Sequence, residues 1–70
     1  MKPFNVTENG RTYRVYVRGA FQHSITSEKK LRKALFAAAV RVYGEDAIKG
    51  KSIWDLDSLI GICSNKVPVE

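Results

Sequence analysis

Apolar and polar residues alternate on both sides of Asn9-Gly10, and the alternation is cleanest when Glu8 is set opposite Arg11. Asn-Gly suits a two-residue turn because both central positions of that turn need positive φ, and the strand-like flanks complete the pattern of a tight hairpin. In this register Val6 faces Tyr13 and Phe4 faces Val15, while Thr7 faces Thr12 and Asn5 faces Arg14. Apolar and polar pairs separate, as a sheet with one buried face requires. Arg18-Gly19-Ala20 reads as a second turn of three residues with its glycine left-handed. It sets Val17 opposite Phe21, Val15 opposite His23 and Tyr13 opposite Ile25, whereas a two-residue loop would pair Tyr16 with Phe21 and mix the faces. The pattern predicts a three-stranded antiparallel meander over residues 4–25.

Thr26-Ser27-Glu28 then supplies a helix cap with an acid in the first turn. Lys29 to Tyr43 runs without glycine or proline, and Gly44 stops it. In this predicted helix, 26–43, Leu31, Leu35, Ala38 and Val42 form one stripe with Ala34 and Ala39 beside it, and the apolar sheet face is the surface it is expected to cover. Past Gly44 the period is too short to decide. Residues 52–64 hold Ile53, Trp54, Leu56, Leu59, Ile60, Ile62 and Cys63, and suit either a short helix with Ile53, Leu56, Ile60 and Cys63 on one face or one or two strands, with a strand around Leu59 to Cys63 preferred. Residues 65–70 read as a frayed tail. The fold class is therefore α+β in a single domain, 1–70: a three-stranded antiparallel meander packed on one α-helix, plus a C-terminal apolar segment that is a short strand or helix.

Seventy residues leave room for one small core and not for separate cofactor and substrate domains. One cysteine, Cys63, and one histidine, His23, cannot make an internal disulfide or a structural zinc set. A Ser-His-Asp or Cys-His arrangement would depend on His23, which this register puts on the inward sheet face as a structural histidine. Asp55 and Asp57 have no further oxygen ligands at useful spacing, and no glycine-rich phosphate loop is present. No enzyme, cofactor or metal is expected. Neither a run of roughly 18 apolar residues nor a hydrophobic stretch after Met1-Lys2-Pro3-Phe4-Asn5 is found, so the expected location is cytoplasmic, without membrane contact.

The net charge of +5 is unevenly placed: residues 1–51 carry 11 Lys and Arg against 4 Asp and Glu, whereas 52–70 carry Lys66 against Asp55, Asp57 and Glu70. A basic body favours polyanions or acidic protein surfaces through long-range attraction. The polar face of the meander displays Asn5, Thr7, Thr12, Arg14, Tyr16, Arg18, Gln22 and Ser24. Arginines around an aromatic, bordered by amides and hydroxyls, supply paired donors for guanine or phosphate and a plane for packing. The candidate binding residues are Arg11, Arg14, Tyr16, Arg18 and Gln22, and Trp54 in the apolar C-terminal segment is a candidate interface anchor.

The stretch Ala34-Leu35-Phe36-Ala37-Ala38-Ala39-Val40-Arg41-Val42-Tyr43-Gly44-Glu45-Asp46-Ala47 resembles the alanine-rich helix of the APETALA-type (ethylene-response-factor) DNA-binding domains and the related arm-binding domains of phage integrases. Phe21 through Glu28 is similar to the entry to that helix. The resemblance spans residues 4–47; the family's opening Tyr-Arg-Gly-Val-Arg run is missing, and Ser52 to Glu70 has no counterpart. It implies three strands ahead of the helix and a sheet laid in the major groove, with Arg14, Tyr16 and Arg18, and Arg11 nearby, on bases and phosphates. Two partners stay open. One is duplex DNA, in phage or mobile-element regulation. The other is a host enzyme or defence complex with an acidic surface, inhibited by docking rather than by chemistry. An exposed edge strand and a spare apolar segment also leave room for a homodimer.

Overall fold

Asn9 and Gly10 take φ of 54° and 79°, the two positive values their turn needs. In the computed structural model, which describes residues 2–69, β1 (Phe4–Glu8) and β2 (Arg11–Val17) pair in the expected register, from Phe4 opposite Val15 to Glu8 opposite Arg11.

The third strand is not residues 21–25. After Val17 the chain closes a 3₁₀ turn, Gly19–Phe21, and its peptide groups bond locally: Phe21 N–H to Arg18 O at 2.9 Å and Ile25 N–H to Phe21 O at 2.8 Å. Gly19 does not take the positive φ that the three-residue hairpin requires. His23, expected on the inward sheet face, is exposed in this turn. The strand beside β2 is instead β3 (Cys63–Pro68), antiparallel, which sets Arg14 opposite Val67 and Tyr16 opposite Asn65. The expected frayed tail is therefore strand through Pro68, and Val69 N–H still reaches Thr12 O at 3.1 Å; Glu70 lies outside the described residues. One register shift lies between Tyr16 and Val17, where Ser64 Oγ donates to Tyr16 O at 3.1 Å.

The predicted helix is α1 (Glu28–Tyr43), capped by Ser27, whose hydroxyl accepts from Lys30 N–H. A four-residue α2 (Glu45–Ile48) follows. The C-terminal segment contains both of the alternatives the sequence offered: α3 (Ile53–Ile60), then β3. Leu59 and Ile60, expected in a strand, close α3. Ser52 and Asp55 form a reciprocal capping box at its start, and Gly61 ends it at φ 81°.

The result is two layers, the helices on one side of an antiparallel sheet ordered β1-β2-β3. Val6, Val15 and Val17 meet Leu31, Leu35 and Ala39 of α1, with Ile48, Ile53, Leu56 and Ile62 completing the core. Val42, expected on the buried stripe, is 65% exposed, while Ala39 is fully buried. The buried positions of α1 step by four, 31-35-39, and α3 packs along that helix.

A polar clamp fastens the layers. Glu8 accepts from Ile53 N–H at 2.9 Å and from Arg32 Nη2 at 3.1 Å, and Arg32 Nε donates to Glu28 at 2.9 Å. Glu28 and Arg32 also take the peptide N–H and C=O of Thr7, blunting edge strand β1. On the other edge Pro68 has no N–H, and Lys66 N–H is held by Asn65 Oδ1 at 2.9 Å.

The Ile53 N–H, opposed by burial and helped by the Arg32 guanidinium, holds the Glu8 carboxyl below its ordinary value of 4.5. A depressed folded-state value adds stability that is present above the unfolded-state value and is lost as pH falls through the folded one. The urea midpoint is therefore expected to hold from pH 7 to pH 5 and to fall below about pH 4.5, with a shallower fall in Glu8→Gln. An acid limb of equal steepness in the variant would remove this role from Glu8.

Candidate nucleic-acid interface

No helix covers the outer face of the sheet, and strand alternation places three rows of side chains on it. The first is Thr7, Thr12 and Val69, the second Asn5, Arg14 and Val67, the third Tyr16 and Asn65. Thr7 and Thr12 share a hydroxyl hydrogen bond of 2.9 Å across β1 and β2. Arg14 is exposed at the centre, between an amide and a valine, and its guanidinium has no partner among the described residues. Tyr16 is half-buried, opposite Asn65 of β3.

The remaining predicted residues divide. Arg11 is exposed at the hairpin end of β2, but opposite Glu8 and in step with Tyr13 and Val15 it belongs to the helix-side face and reaches the outer surface only from the sheet's end. Arg18 closes the other end, where its N–H donates to Ile62 O at 3.0 Å and its Nε to Gly61 O at 2.8 Å. Those bonds orient the guanidinium and leave its terminal amino groups without a partner among the described residues. Gln22 leaves the set, because it lies in the turn after Phe21 and not on a strand. Ser24 leaves the face with it. Trp54 does not stand as a free anchor: Tyr13 packs edge-on against it at 5.4 Å, and Lys66 Nζ sits 4.2 Å from its ring centre. Its indole N–H is buried without a partner among the described residues.

Asn65, Val67 and Val69 join the face from a segment read as a frayed end. Their alternation with Lys66 and Pro68 was the available signal, and proline is compatible with an edge strand.

Carboxylates are absent from the outer face among the described residues. Glu8 and Glu28 hold Arg32. Asp55 caps α3, accepting from Ser52 N–H at 3.3 Å, and Asp57 accepts from the N–H groups of Ile62 and Cys63, each at 2.9 Å. The sheet face therefore presents cationic, amide, hydroxyl and methyl groups with no competing negative charge.

Cys63 lies outside this surface. Burial, and then the nearby Asp57 carboxylate, push its thiol up to about 12. It is expected to react with iodoacetamide at pH 8 much more slowly in the native chain than in denaturant; equal rates in the two states would contradict the raised thiol.

Among the described residues no helix is long and apolar enough to cross a membrane, and no cluster of His, Cys, Asp and Glu is placed to hold a metal ion. The chain order, two strands, three helices, one strand, differs from the three strands ahead of a helix that the APETALA-type resemblance implies. No protein-family model, curated protein or solved structure matches the chain.

Proposed function

We propose that this protein binds duplex DNA by laying the outer sheet face in the major groove. The observation that carries the reading is the run Arg14, Tyr16 and Arg18, alternate positions along β2 and just past its end, with no carboxylate among the described residues on the face they share. Three strands about 4.8 Å apart span about 10 Å, within a groove about 12 Å wide. Arg14 at the centre can donate two hydrogen bonds to guanine O6 and N7, and the Val67 and Val69 methyls suit the thymine methyl. Arg11 and Arg18, at the ends of β2, suit the flanking phosphates and set the register. Asn5, Thr7, Thr12 and Asn65 add short polar contacts to bases or backbone.

An acidic protein surface is the competing partner, favoured by the same face and by Val67 and Val69, which are 42% and 43% exposed. Titration of a labelled duplex separates the two. Neutralising two to four phosphates gives a slope of about −2 to −4 in log affinity against log salt for a labelled duplex, since each contact contributes about −0.9. Absence of duplex binding at low salt would overturn the DNA reading and leave the protein partner.

A further inference from the structure

We propose that a groove along the alanine flank of α1 is a docking site for an acidic amphipathic helix of a partner protein. The proposal is independent of the sheet face, because the groove lies on the helical layer. Its floor is Ala34, Ala37 and Ala38, its far wall is Phe21 and Ile60, and its volume is about 640 Å³. The lining is almost wholly apolar, although the groove is open to solvent on a small basic protein.

Two features choose the occupant. Ala34, Ala37 and Ala38 are spaced i, i+3, i+4 on α1 and carry nothing beyond Cβ, so a second helix can approach closely and seat larger apolar side chains between them. From Lys30 to Ala38 the groove runs about 12 Å, two helical turns. That length takes apolar residues at i, i+3 or i+4, and i+7 of the incoming helix. The second feature is charge. Lys30 and Lys33 also line the groove, and no carboxylate does. Lys30 Nζ is held toward the start of α1 by a 3.3 Å hydrogen bond to Thr26 Oγ1. An apolar helix flanked by Asp or Glu meets both lysines, whereas a basic helix is repelled by them.

A second copy of this chain fits poorly. It carries the same net charge of +5. The described carboxylates with no internal partner, Glu45 and Asp46, belong to α2, whose four residues cannot fill two turns. An anionic lipid chain shares the apolar and acidic character but lacks the alternating shape that the alanine floor accommodates.

The test is a display selection of random helical peptides on the intact protein, repeated on Ala37→Arg. Ala37 is exposed on a helix, so arginine there fills the groove without disturbing the core; an unchanged thermal midpoint verifies this. The expected winners carry an apolar i, i+4, i+7 stripe flanked by Asp or Glu. As synthetic peptides they are expected to bind Ala37→Arg and the Lys30→Glu/Lys33→Glu double variant at least tenfold more weakly than the natural sequence. Several results would overturn the proposal. These are winners indifferent to Ala37, winners with basic flanks, groove-dependent dimerisation of the protein in sedimentation, or laurate occupying the groove at micromolar concentration. Loss of DNA binding in the sheet-face variants leaves these outcomes unchanged, so the two readings fail separately.

Discussion

Leu35→Ala is expected to lower the thermal midpoint by roughly 10–40 °C, and to remove DNA binding wherever it removes the fold. Leu35 is fully buried at the centre of α1, in a core shared with Val6, Val15 and Ile53. Truncating a buried leucine to alanine costs about 2–5 kcal/mol, the lost transfer term plus the cavity left behind. A domain of this size has a total of roughly 4–10 kcal/mol to lose, at ~0.05–0.15 kcal/mol per residue, and the only cysteine, Cys63, is free. The cost therefore takes up a large part of the whole. Circular dichroism against temperature is the measurement; a midpoint lowered by only a few degrees would mean that the layers are held by something other than this core.

Arg14→Ala is expected to do the opposite, leaving the fold intact and weakening duplex binding by about 5- to 150-fold, the equivalent of about 1–3 kcal/mol for a lost two-donor contact to a base. The side chain is exposed and makes no internal hydrogen bond among the described residues, so nothing in the core depends on it. Arg14→Lys separates charge from geometry. It keeps a cation near the phosphates but not the planar pair of donors, so affinity should recover only in part while base preference is lost. Arg41→Ala, on the helical layer, is the control. Anisotropy titrations at one salt concentration decide the matter, and equal losses for Arg14→Ala and Arg41→Ala would mean that only diffuse charge is at work.

The hairpin and α1 were legible because their signals are local. Asn9-Gly10 dictates the turn, strict alternation fixes the register of Phe4–Glu8 on Arg11–Val17, and Ser27 and Gly44 bracket the helix. The third strand was not legible, because pairing β2 with Cys63–Pro68 joins residues about fifty positions apart and leaves no local trace. Phe21–Ile25 offered a nearby partner of the right period, but its peptide groups close a turn on themselves. His23 and Gln22 moved off the sheet with that segment. Arg14 and Tyr16 kept their place on the face because it follows from strand alternation in the correctly read hairpin. Their neighbours changed from Gln22 and Ser24 to Asn65, Val67 and Val69. The clamp of Glu8, Arg32 and Glu28 was also hidden: i,i+4 spacing pairs Glu28 with Arg32, but nothing local brings Glu8 to Ile53 N–H.

The measurement closest to the central claim is amide and methyl chemical-shift mapping of the labelled protein with a short duplex at low salt. Binding through the sheet predicts shifts that cluster on Asn5, Thr7, Thr12, Arg14, Tyr16, Asn65 and Val67, with Lys29, Lys33 and Arg41 of α1 unmoved. Shifts concentrated on those α1 residues, or no shifts at all, would contradict it.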